Sequence, residues 1–99
     1  MTNQQSTTAK PFDEFQLEML TPNGAKVYRT VSSRMVQLNV SSLWISDAEL
    51  SRRARVVLQN IGAAQSELAR VGAFIMTPGI AQVRYELPDA LDMDTETAR

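Results

Sequence analysis

The run from Ser46 to Met76, SDAELSRRARVVLQNIGAAQSELARVGAFIM, most limits what this chain can fold into. Leu50, Ala54, Val57, Leu58, Ile61, Ala64, Leu68, Val71 and Ile75 recur mostly at spacings of three and four. That spacing puts one apolar stripe on a helix, so the run predicts a single long amphipathic helix. Ser46 is a good N-cap and Glu49 completes an S-x-x-E capping box. Asp47 and Glu49 place negative charge at the positive end of the helix dipole. Gly62 and Gly72 weaken the pattern by about 1 kcal/mol each relative to alanine. Thr77-Pro78-Gly79 supplies the stop.

The residues before this run read as its cover. Phe15, Leu17 and Met19 alternate with Glu14, Gln16 and Glu18, which predicts a strand over 13–20. Thr21-Pro22-Asn23-Gly24 has the composition of a hairpin loop. A second strand follows over 25–32. A third spans 35–41, where Val36, Leu38 and Val40 alternate with polar residues. Leu43-Trp44-Ile45 then leads into the helix, with Ile45 set to staple onto Leu50. The expected fold is α+β: a three-stranded antiparallel meander followed by one long helix. Residues 80–87 are read either as a short further strand or as an extended arm. Residues 13–87 form one domain in this reading. It is flanked by a polar, disordered tail at 1–12 and an acidic, disordered tail at 88–99.

A helix of about 30 residues is roughly 45 Å long. A strand of seven or eight residues spans only about 25 Å. The distal stripe therefore outreaches the sheet, and an uncovered apolar patch marks an interface. Trp44, Leu58, Ile61, Ala64, Leu68, Val71 and Ile75 are the expected interface residues, in a homodimer or in a heterodimer with a related chain. For Trp44, a second reading caps the core where strand meets helix.

Composition removes several chemistries. The chain has no cysteine and no histidine, which excludes disulfides, thiolate nucleophiles, imidazole bases and the usual zinc ligands. Asp89, Asp92, Asp94 and Glu96 lack the offsets of a calcium loop, and Thr21–Gly24 is not a phosphate loop. No catalytic residue, metal or cofactor is assigned. No apolar run is long enough to span a membrane, and MTNQQSTTAK lacks the apolar core of a secretory signal, so a cytoplasmic address is expected. Arg52, Arg53 and Arg55 form the one basic cluster. They are candidate contacts for an anion or an acidic partner, against the plainer reading of a solvated face with Glu49 pairing to Arg53. The net charge of −1 argues against nucleic acid at the level of the whole chain.

Three strands feeding one long helix resembles the YbaB-like fold, whose members include nucleoid-associated DNA-binding proteins. The segment VQLNVSSLWISDAELSRRARVVLQNIGAAQSEL resembles mycobacterial ESX (type VII) secretion-associated proteins of the EspD/EspH type. The matching positions are Val36, Leu38, Trp44, Ser46, Leu50, Val57 and Ala64. That resemblance implies a non-catalytic protein-interaction module, accessory to or regulating a type VII secretion pathway, with a secretion-system protein as partner. DNA binding is the alternative. Tyr85 and Asp89 have the Y-x-x-x-D spacing of type VII export motifs, although Pro88 opposes the helix that such a motif requires.

Overall fold

The computed structural model describes residues 17–88. Thr21-Pro22 opens a helix, α1 (Pro22–Leu38), instead of a hairpin. Thr21 Oγ1 accepts from the Gly24 N–H at 3.2 Å. Pro22 has a φ preset for the first helical position and no N–H to leave unsatisfied there. Gly24, Val27, Val31 and Met35 are the buried stripe of α1. The strands expected over 25–32 and 35–41 are thus mostly this one helix. Val36, Leu38 and Val40 alternate in sequence but are all exposed, and Met35 carries the burial. Leu17 and Glu18 are helical, not extended. Phe15 and the rest of that expected strand lie outside the described residues, as do the tail at 1–12 and the residues from Asp89 on.

After β1 (Ser42–Ile45), Ser46 caps α2 (Asp47–Ala54) as its sequence predicts, with Ser46 Oγ accepting from the Glu49 N–H at 3.1 Å. Ile45 and Leu50 are both in the core. The expected long helix then breaks. Arg55 is left-handed at φ 61, and the Val56 N–H closes on the Ser51 carbonyl at 3.1 Å. Ser51 Oγ donates to the Val56 carbonyl at 2.5 Å, fixing the turn from the side. Val56 is buried, while its neighbour Val57 is 62% exposed. A 3₁₀ turn, Leu58–Asn60, leads into α3 (Ile61–Arg70). Two short helices folded on one another can bury Leu50, Ala54, Ile61, Ala64 and Leu68 in a shared core. A straight rod would leave the distal part of that stripe in water.

The left-handed Gly72, φ 79, ends α3, with the Ala73 N–H on the Leu68 carbonyl at 3.0 Å and the Gly72 N–H on the Ala69 carbonyl at 3.2 Å. This is a Schellman closure. Asn39 ends α1 in the same way, with the Val40 N–H on the Met35 carbonyl at 3.0 Å. Then β2 (Ile75–Pro78) and β3 (Val83–Glu86) form a hairpin, whose tip is drawn together by the Gly79 N–H donating to the Gln82 carbonyl at 2.7 Å. All three strands are antiparallel in the order β1-β3-β2. The domain is α+β with a three-stranded antiparallel sheet, as expected. The sheet is not a meander, and its central strand comes from residues 80–87.

The premise of the expected dimer changes with this fold. Ile61, Ala64 and Leu68 are buried within the chain itself, chiefly where α3 packs against α1, and Val71 packs at the edge of the core. Only Trp44, Leu58 and Ile75 of the expected interface residues are exposed.

Tyr85 ties the layers together. It is fully buried, its ring edge-on to Phe74 with centroids 5.8 Å apart. Gln65 Nε2 donates to the Tyr85 hydroxyl at 2.7 Å and to Asp47 Oδ1 at 3.0 Å, linking β3, α3 and α2. Of the Y-x-x-x-D pair, Tyr85 is therefore part of the core, and Asp89 lies outside the described residues. Burial pushes the Tyr85 hydroxyl up to about 12; the Gln65 hydrogen bond opposes this and the Asp47 carboxylate adds to it. A phenol that ionises near pH 10 when unfolded but near 12 when folded keeps its full stabilising effect below pH 10 and loses it as pH rises through 12. We expect a loss of roughly 2–3 kcal/mol across that window. Urea titrations at stepped pH would measure it, and Tyr85→Phe should flatten the profile.

Candidate functional site

The exposed surface of α3 is the most distinctive feature outside the core. With Ile61, Ala64, Glu67 and Leu68 turned inward, the helix presents Gly62, Ala63, Ser66, Ala69 and Arg70 to solvent. Gln59 stands exposed and Asn60 half-buried at its N-terminal entry. The one carboxylate of α3 lies at the edge of this surface, in a groove it shares with Asn60, Ala63 and Arg70. Glu67 is 8% exposed and accepts from the Thr21 N–H and the Thr21 hydroxyl, both at 2.7 Å. Gly24 makes this approach possible, because a Cβ there would overlap the Glu67 carboxylate. The result is a short, narrow helix surface with amides at its N-terminal end and its one acid held by Thr21 at the edge.

The basic cluster lies on α2 and the turn after it. Arg52, Arg53 and Arg55 are all exposed. Arg53 Nε donates to Glu49 Oε2 at 2.7 Å, the i,i+4 pair the sequence predicts. This hydrogen bond holds the Glu49 carboxyl below its usual range; partial burial opposes the shift and the charges of Arg53, Arg52 and Arg34 add to it. Arg52 and Arg55 have no ion pair among the described residues. Arg55 stands where the other two helices place asparagine and glycine. A left-handed conformation costs an L-residue about 1–2 kcal/mol, so the arginine is not there for the turn's sake.

Charge is unevenly divided along the chain. Residues 17–88 carry eight Lys or Arg and five Asp or Glu, net +3. The flanks carry two and six, net −4, which gives the −1 of the whole chain. The whole-chain figure therefore hides a basic domain.

The β2–β3 hairpin projects beside this unit. Ile80, at its tip, is fully exposed. Trp44, Arg84 and Thr77 form one cross-strand row on the outer face of the sheet. Trp44 is 49% exposed, and its ring lies against Gly79, where a Cβ would come within 2.7 Å of Trp44 Cζ3. Trp44 thus braces the hairpin root and keeps half its surface free.

Gln59, Asn60, Ala63 and Ser66 were not singled out by sequence, because an unbroken helix gives them no special place. The signal that could have found them is a row of helix-ending features inside the run: the β-branched pair Val56-Val57, and Gly72 just after Arg70. Among the described residues no three His, Cys, Asp or Glu side chains are placed to hold a metal ion. No described helix is long and apolar enough to cross a membrane. Comparison with protein-family models, characterised proteins and solved structures finds no match.

Proposed function

We propose that this chain is a winged helix-turn-helix module that binds duplex DNA through α3. The observation that carries the reading is the helix–turn–helix unit itself: arginines stand on and just after its first helix, and α3 presents small and amide side chains, its one acid held by Thr21 at the edge. The order helix, strand, helix, turn, helix, hairpin resembles the winged-helix arrangement, with β2–β3 as the wing. In helix-turn-helix proteins the second helix lies in the major groove with its N-terminal residues at base edges, and the first helix crosses the backbone. By that geometry Gln59 and Asn60 read adenine, Ala63 meets a thymine methyl, and Arg52 and Arg55 hold phosphates.

Titrating a fluorescent duplex at several salt concentrations tests this. The logarithm of affinity should fall linearly with the logarithm of salt. Arg55→Gly adds a second readout that separates fold from binding. Relief of the left-handed strain, offset in part by the chain entropy of glycine, should stabilise the domain by about 0.5–1 kcal/mol. The same change should weaken DNA binding and lower the salt slope by about 1. Affinity that does not depend on salt would refute the reading.

A protein-docking module is the second reading. It is favoured by the exposed apolar pair Val57 and Leu58, 62% and 55% accessible, and it agrees with the resemblance to secretion-associated proteins. It predicts a partner bound by apolar burial with little dependence on salt.

A further inference from the structure

A second cationic site lies on the flank of α2. Between α1 and α2 runs a groove of about 310 Å³ lined by Arg29, Thr30, Ser33, Arg34, Gln37 and Arg53. We propose that this groove is a further backbone-phosphate site for the same nucleic acid, outside the footprint of α3. The inference rests on the DNA-binding reading and extends it from one helix to a track across the domain.

Three observations support it. The first is charge. Three guanidinium groups converge on the groove from two helices, and the nearby carboxylate, Glu49, already accepts from Arg53 Nε at 2.7 Å. That ion pair engages Nε and leaves the Nη groups of Arg53 outside it. Arg34 Nη1 donates to Gln37 Oε1 at 3.3 Å, a neutral partner that orients the guanidinium without cancelling its charge. Arg29 has no ion pair among the described residues.

The second observation is continuity. Arg55, Arg52 and Arg53 follow one another along the turn and the exposed surface of α2, and Arg53 enters the groove. The cations therefore run from the turn after α2 along that helix to the groove it forms with α1, and in such a unit the first helix is the one that crosses the DNA backbone. The third is the lining itself. It consists of guanidiniums, hydroxyls and an amide, with no apolar side chain. Arg, Ser, Thr and Gln are the groups that contact phosphate oxygens. A protein partner would need a desolvated apolar or aromatic anchor, and the groove offers none.

The test uses the full chain and a duplex of about 30 base pairs, titrated across a range of salt. The double variant Arg29→Ala, Arg34→Ala should bind about tenfold more weakly at moderate salt, with a slope shallower by about 0.9 for each phosphate lost. Its preference among duplex sequences should match wild type, because these contacts carry no base readout. Arg29→Lys, Arg34→Lys should restore most of the slope. Thermal melts of both variants should overlay wild type. If the alanine variant keeps the wild-type slope, the groove holds no phosphate and the inference falls while the α3 reading stands. If it loses affinity without a change of slope, the arginines act through structure and the inference falls likewise. If decaglutamate binds the groove and leaves the duplex in place, the ligand is an acidic protein segment and not DNA. A wild-type chain that binds no duplex removes both readings.

Discussion

Leu68→Ala lowers the unfolding free energy by about 2–5 kcal/mol, out of the roughly 5–15 kcal/mol available to a small domain. Leu68 is fully buried on α3, in the core that α1, α2 and the sheet share. Leu68→Asp goes further and abolishes the cooperative transition, because an unpaired carboxylate there would have to be desolvated with no partner. Ile75→Asp, on the partly exposed outer face of β2, should shift stability by no more than about 1 kcal/mol. Urea denaturation followed by circular dichroism measures all three. The expectation of a long helix paired across a dimer makes the opposite forecast: Leu68→Asp and Ile75→Asp should both leave a folded chain of half the mass. A folded, half-mass Leu68→Asp variant would therefore overturn the intrachain core.

That contrast shows which parts of the fold were legible in the sequence. The apolar stripe was legible as a stripe, because local spacing survives within each short helix, but its assignment was only partly right. Leu50, Ala54, Ile61, Ala64 and Leu68 are buried within the chain where the last three were expected at an interface, and Val57, Leu58 and Ile75 are exposed. The break at Arg55 was not legible. It is made by an arginine in a left-handed conformation, where propensity favours glycine or asparagine, and by a hydroxyl bond from Ser51 that needs the turn already formed. Ser46 gave the start of α2 correctly, since its bond from the Glu49 N–H spans only four residues, while the Glu49 side chain turns to Arg53 instead of closing the capping box. Thr21-Pro22-Asn23-Gly24 was misread because threonine and proline open helices as well as turns. What decides between the two is tertiary: Glu67, distant in sequence, fixes Thr21 and takes up the space beside Gly24. The candidate site suffered most. Gln59, Asn60 and Ala63 acquire meaning only once the run is two helices with a turn between them, and the acidic flanks masked the positive charge of residues 17–88.

Ala63→Glu should separate binding from folding more sharply than any arginine variant. Ala63 is exposed in the first turn of α3, where a glutamate is a good helix former and lies favourably at the positive end of the helix dipole. The Glu67 carboxylate, four residues on and lining the same groove, offsets that gain by like-charge repulsion, so the melting temperature should hold about steady. In a DNA complex the same carboxylate would sit in the major groove, between two phosphate backbones and against base edges rich in acceptors. We expect affinity to fall at least about 100-fold, close to 2.7 kcal/mol, with the loss largest at low salt where repulsion is least screened. Ala63→Lys is the matched control: it should tighten binding and steepen the salt slope while weakening discrimination between sequences, since an added cation is attracted to any duplex. Opposite shifts from the two charges identify an electrostatic partner. Equal losses from both, insensitive to salt, would mean that the small residues of α3 pack against an apolar protein surface, where any long side chain is excluded by its bulk.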